Sequence, residues 1–107
     1  MKALEREYET ALDRKENPRQ GSYTNYLYDK GLEKILKKVG EEATEVVVAS
    51  LSQSKEELVG EICDLAYHIT VLMVKKGITP EDIEAELDRR AMKEGNLKAE
   101  RKPVTNR

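Results

Sequence analysis

The sequence predicts an all-α fold, a bundle of helices, on three observations. Apolar residues recur at spacings of three and four along most of the chain. Capping residues and glycines punctuate that pattern where helices would start and stop. The composition is rich in Glu, Lys, Leu and Ala and contains no Trp or Phe, so any core is built from Leu, Ile, Val, Ala and Met. The 107 residues suit one domain, 1–107, with a modest core.

Residues 2–16 form the first expected helix, with Leu4, Tyr8 and Leu12 at spacing four. Asn17-Pro18-Arg19-Gln20-Gly21 breaks it. Ser22 can cap a short helix over Tyr23–Asp29, closed by Gly31. From Leu32 to Leu51 the apolar positions Leu32, Ile35, Leu36, Val39, Ala43, Val46 and Val47 keep helical spacing. Gly40 lies inside that run at a cost of up to roughly 1 kcal/mol relative to Ala, and such a glycine can mark a kink or a close approach. Ser54-Lys55-Glu56-Glu57 is a capping box for a helix over 55–76. Leu58, Ile62, Leu65, Ile69, Leu72 and Met73 stripe it, and Val59, Cys63, Ala66, Thr70 and Val74 make most of its remaining surface apolar, which predicts burial on several sides. Gly77 ends it. Thr79-Pro80 opens the last helix, with Ile83, Leu87 and Met92 inward. Residues 96–107 are polar, carry Pro103, and are expected to form a flexible tail.

A short chain whose central helix has more apolar surface than one neighbour can cover also predicts a homodimer. Lys and Arg total 19 against 21 Asp and Glu, well mixed along the sequence, which argues against a nucleic-acid binder. One cysteine, Cys63, permits no internal disulfide and suits a reducing compartment. The charged N-terminus lacks a signal-peptide pattern, and no segment has the roughly 20 apolar residues of a membrane span. A cytoplasmic protein is expected.

The informative residues are acids beside apolar ones. Glu61 and Asp64 stand one turn apart in the most hydrophobic helix, and at about 100° per residue they share a flank with His68. Glu42 and Glu45 stand one turn apart on the preceding helix, beside Lys38. Buried carboxylates are costly unless paired or metal-bound. Two helices each offering an (i, i+3) acidic pair is how a bundle builds a hard-cation site, suited to Mg²⁺ or Mn²⁺. The plain alternative makes Glu41, Glu42 and Glu45 a solvated face, or spends the acids on an ion pair with Lys38. His68 either bonds a carboxylate behind the ligands or is a core histidine satisfied by backbone. Lys34, Lys37 and Lys38 form a basic strip that could meet phosphates.

Glu41-Glu42-Ala43-Thr44-Glu45, followed after fifteen residues by Glu61-Ile62-Cys63-Asp64, resembles the EExxE…ExxD signature of MazG-like nucleotide pyrophosphohydrolases. The flanking text is more specific. Ser22-Tyr23-Thr24, Lys30-Gly31, Ile35 through Val46 and Asp64-Leu65-Ala66-Tyr67-His68 are similar to the phosphoribosyl-ATP pyrophosphatase family, over roughly residues 20–90. The resemblance implies a MazG-like all-α bundle completed by dimerisation. It implies hydrolysis of phosphoribosyl-ATP to phosphoribosyl-AMP and pyrophosphate, the second step of histidine biosynthesis. By motif position Glu42, Glu45, Glu61 and Asp64 would hold Mg²⁺. Glu41 also matches the motif, though ideal helical geometry turns it away from the others.

In such a reaction the cation neutralises polyphosphate charge and a carboxylate orients or deprotonates water, a role that falls to Glu42 or Glu45. Lys38, with Lys34 or Lys37, would stabilise phosphate charge, and Ser22, Tyr23 and Tyr26 would face the nucleotide. Two rivals stand beside this reading. One is a house-cleaning hydrolase of dUTP or damaged nucleotides. The other is a non-enzymatic helical dimerisation module with its acids spent on ion pairs.

Overall fold

The computed structural model describes residues 1–97, which form α1 (Lys2–Glu16), α2 (Tyr23–Lys30), α3 (Leu32–Ser52), α4 (Lys55–Lys76) and α5 (Pro80–Leu97). The all-α expectation holds. The polar tail expected from residue 96 begins inside α5 and from residue 98 lies outside the described residues.

Local chemistry sets the boundaries. The Ser22 side chain accepts from the Asn25 amide at the start of α2. At α4, Ser54 Oγ accepts from the Glu57 amide while the Glu57 carboxylate accepts from the Ser54 amide, closing both halves of a capping box. Gly77, at φ 73°, lets the chain leave α4 with its own N–H and that of Ile78 donating to Val74 and Met73 carbonyls. Thr79 and Asp82 then exchange side-chain-to-amide bonds across the first turn of α5.

The α3–α4 hairpin is the frame, and α1 and α2 pack on it. The centre of the core is Leu27 of α2, Ile35 of α3 and Val71 of α4, all fully buried, with Tyr28, Tyr67 and Leu72 against them. Burial of each such aliphatic side chain contributes about 1.5–3 kcal/mol. Tyr28 donates to the Ala11 carbonyl at 2.8 Å, and burial, then neighbouring Tyr67 and Tyr8, push its phenol up to about 12. Asn25 ties down the α1–α2 connection by donating to the Arg14 carbonyl and accepting from the Arg19 amide.

Two expectations need correction. α3 runs unbroken through Gly40, and a Cβ placed there would meet nothing within 4 Å, so this glycine marks no interruption of the helix and no close approach among the described residues. And α4 is not buried on most sides: Val59, Ile62 and Ile69 are 51%, 48% and 40% exposed. One hairpin partner and α1 cover only part of its circumference. α5 leaves Ile83, Leu87 and Met92 exposed too. An apolar groove of about 390 Å³ runs between α1, α4 and α5, lined by Leu4, Tyr8, Ile69, Met73, Ile83 and Leu87 among others.

Candidate functional site

The short turn at Ser52–Ser54 folds α4 back along α3, so acids one turn apart on each helix meet across the hairpin. One carboxylate oxygen each from Glu42, Glu61 and Asp64 lies within 4.8 Å of the others. Glu42 and Glu61 are half-buried, while Asp64 and Glu45 are exposed. The exposure of Asp64 departs from the burial expected of an acid on so apolar a helix, because nothing among the described residues covers that side of α4. Glu45 does not join the three-oxygen group, but its charge reaches Glu61. Partial burial, then Glu45, Asp64, Glu42 and Glu57, hold the Glu61 carboxyl above its ordinary pKa.

A single ammonium answers this crowd. Lys38 Nζ stands 3.4 Å from Glu41 Oε1 and 3.5 Å from Glu42 Oε2. Burial opposes its charge, but Tyr23, Glu41 and Glu42 outweigh that and raise its pKa. Among the described residues no ion pair reaches Glu45, Glu61 or Asp64. Glu41 is exposed, pairs with Lys38 and does not join the three-oxygen group, in keeping with ideal helix geometry.

The basic strip continues away from the acids. Tyr23 and Tyr26 stack at 5.8 Å between centroids, with an interplanar angle of 22°. Lys34 Nζ lies 6.0 Å from the Tyr26 ring centroid and Lys30 Nζ 5.8 Å. Lys37 is exposed on a neighbouring flank, about 100° around the helix from Lys38. A shallow depression of about 500 Å³ opens beside the rings, lined by Arg19, Gln20, Ser22, Tyr23, Asn25 and Tyr26, among others. Arg19 and Asn25 were given no role from the sequence, and Lys30 entered only through the Lys30-Gly31 stretch of the resemblance. Lys30 had a readable signal, since it follows Tyr26 by four positions on one helix. Arg19 and Asn25 reach this surface only through the loop fold.

His68 is 6% exposed and bonds no carboxylate among the described residues. Its Nδ1 lies 2.8 Å from the Asp64 carbonyl oxygen, and its Nε2 lies 3.2 Å from the Tyr23 hydroxyl. Of the two readings open in the sequence, the backbone-satisfied core histidine is the one observed. Next to this pair, Thr24 and Tyr67 are hydrogen-bonded through their hydroxyls. Two successive residues of α4 thus hold the first two residues of α2.

The surface therefore runs from clustered carboxylates through Lys38 to stacked tyrosines flanked by lysines. Hard-cation coordination, phosphate contact and ring stacking are available within one face.

A family model described as phosphoribosyl-ATP pyrophosphohydrolase matches residues 5–91. The phosphoribosyl-ATP pyrophosphatase of Clostridium novyi is 53% identical over 103 residues, 96% of this chain and 94% of that protein. The phosphoribosyl-ATP pyrophosphatase of Streptococcus thermophilus is 55% identical over 103 residues, 96% of this chain and 98% of that protein. The histidine biosynthesis bifunctional protein of Caldanaerobacter subterraneus is 58% identical over 93 residues, 87% of this chain but 45% of that longer protein.

Proposed function

From the premise that this chain belongs to the phosphoribosyl-ATP pyrophosphohydrolase family, we propose that it hydrolyses phosphoribosyl-ATP to phosphoribosyl-AMP and pyrophosphate using Mg²⁺ held by Glu42, Glu61 and Asp64. The reaction is the second step of histidine biosynthesis.

The observation that carries the metal assignment is the approach of three carboxylate oxygens to within 4.8 Å with one lysine beside them. Crowded anions raise each other's pKa and weaken the fold, a cost that a divalent cation removes. The donor set fits that ion: all oxygen, no thiolate, and open enough to leave room for phosphate and water. Bound there, Mg²⁺ would neutralise polyphosphate charge and acidify water.

The chain's own groups supply the rest. Lys38 meets phosphate oxygens as it exchanges its contacts with Glu41 and Glu42. Lys34 and Lys30 extend that positive strip past Tyr26, with Lys37 adding charge from its flank. Tyr23 and Tyr26 give the nucleotide a flat face, and Ser22 caps the helix that carries them. Glu45 is the best candidate to orient the attacking water or take its proton. Its carboxylate is exposed and outside the three-oxygen group, yet near enough to act on Glu61. Glu41 contributes indirectly, by holding Lys38.

A homodimer belongs to the same reading. Val47 and Leu51 of α3 and Val59 and Ile62 of α4 flank the hairpin turn and are 61%, 86%, 51% and 48% exposed, more apolar surface than an isolated small chain leaves to water without a reason. A cytoplasmic location is supported by the exposed free thiol of Cys63. No helix among the described residues is long and apolar enough to cross a membrane.

The test is pyrophosphate release from phosphoribosyl-ATP, ATP and dUTP side by side, with and without Mg²⁺. Release from phosphoribosyl-ATP should be far the fastest and depend on the cation. Equal rates on all three, or a preference for dUTP, would sink the pathway assignment.

A further inference from the structure

We propose that His68 is a positioning residue for substrate: by accepting a hydrogen bond from the Tyr23 hydroxyl, it holds the Tyr23 ring at the border between the carboxylates and the basic strip, where that ring and Tyr26 receive the flat part of the nucleotide. The proposal rests on the phosphoribosyl-ATP reading.

The hydrogen-bond directions follow from the partners. A backbone carbonyl only accepts, so the bond to Asp64 requires the ring proton on Nδ1. In the neutral ring Nε2 is then an acceptor, and Tyr23 donates to it. With its one proton committed inward, the phenol is anchored to His68, and its ring lies stacked beside Tyr26.

The arrangement is more than the fold needs. Tyr23 is 44% exposed, so water could satisfy its hydroxyl at little cost. Instead the hydroxyl takes the free nitrogen of a nearly buried histidine. The ring is fixed as well, stacked on Tyr26 and Tyr67 and edge-on to His68. His68 bonds the backbone of Asp64, so the phenol is located relative to the turn of α4 that carries the carboxylates. The adjacent Thr24–Tyr67 bond keeps α2 from pivoting about that contact.

Steady-state release of pyrophosphate from phosphoribosyl-ATP with Mg²⁺, alongside melting curves, separates positioning from a purely structural role. Tyr23→Phe, which frees the ring from His68, should raise KM roughly three- to tenfold, the worth of one ordinary hydrogen bond, with a smaller change in kcat and only a modest drop in melting temperature. His68→Leu should raise KM by a similar factor and add nothing further in the Tyr23→Phe background. His68→Gln, which places a polar group near the Nε2 position, should recover part of the loss. A merely structural histidine would lower the melting temperature, leave KM of the folded fraction unchanged, and act independently of Tyr23. An unchanged KM in Tyr23→Phe, or multiplying effects in the double variant, overturns the proposal. If His68→Leu does not fold, Tyr23→Phe and His68→Gln decide it. Wild-type protein inactive on phosphoribosyl-ATP would instead refute the parent reading, and this proposal with it.

Discussion

Glu61 on α4 and Glu86 on α5 are the same residue type on neighbouring helices, in opposite electrostatic settings. Glu86 accepts from Arg89 at 2.9 and 2.6 Å and from Arg90 at 2.9 Å, and those bonds hold its carboxyl down at about 2. Glu61 is partly buried, lies in the field of Glu45, Asp64, Glu42 and Glu57, and is pushed the other way. Acids placed for solubility or helix stability find cations one turn away, as Glu86 does. Acids placed for a ligand are left in each other's company, and the fold bears the repulsion. The difference separates a solvated face from a site better than burial does, since both residues touch solvent.

The strongest way to break this contrast is to neutralise one residue at a time. Asp64→Asn and Glu61→Gln should each lower Mg²⁺-dependent turnover on the order of 100-fold or more, because each removes a charged ligand oxygen from a hard cation. Glu45→Gln should lose as much through the water. The metal-free Asp64→Asn protein should melt at the same temperature or higher, since a like charge is gone. Glu86→Gln should keep full turnover. If Asp64→Asn melts early yet keeps near-normal activity, the carboxylates are structural and the contrast collapses.

Apolar surface divides in the same way. Leu27, Ile35 and Val71 find cover inside the chain, whereas Leu51 and Val47 find none among the described residues. Leu51→Lys should therefore weaken self-association at least about 100-fold, as a Leu side chain is lost from the interface in each protomer. Sedimentation at micromolar concentration checks this, and a well-folded wild-type monomer there would refute the dimer.

Much of this was legible in the sequence, and what was not has a common cause. Helix ends were readable because caps are local: Ser22, Ser54 with Glu57, Gly77 and Thr79-Pro80 act over three or four residues. The meeting of Glu42 with Glu61 and Asp64 followed from two one-turn spacings on a helical hairpin. Glu45 was expected among them, but which acid of a pair points across the hairpin depends on packing rather than spacing. The partner of His68 was hidden because Tyr23 is 45 positions away in sequence. The exposure of α4 was hidden because an apolar pattern records that a face avoids water, not which surface covers it.

A smaller effect tests the glutamate next to the crowd. Glu57 serves the capping box of α4 and also adds to the field at Glu61. Ser54→Ala should cost about 1 kcal/mol, a drop of several degrees in melting temperature, with turnover per folded molecule kept. Loss of turnover beyond the unfolded fraction would mean that the cap positions the carboxylates as well as the helix.

The smallest expected effect is the pH dependence of the metal-free protein, where the two glutamates should act with opposite sign. Glu61 has a folded pKa raised above the ordinary 4.5, so the folded state holds its proton more tightly than the unfolded state. Its contribution to stability is full below that ordinary value and is lost as pH rises through the raised folded one. Acidifying from about pH 7 to about pH 5 should thus recover some stability, and Glu61→Gln should remove that gain. Glu86 has a folded pKa lowered from 4.5 to about 2, so its contribution is present above the ordinary value and is lost as pH falls toward about 2. Glu86→Gln should leave the curve unchanged above about pH 5 and flatten its acid side. Both side chains are solvent-screened, so the shifts in melting temperature should be small and should shrink further in salt. Thermal melts across that range for wild type and the two variants measure the slopes. Glu61→Gln with the wild-type slope between neutral and mildly acid pH would mean that its crowding carries no cost to the fold, and the physical argument for a cation among Glu42, Glu61 and Asp64 would lose its electrostatic half.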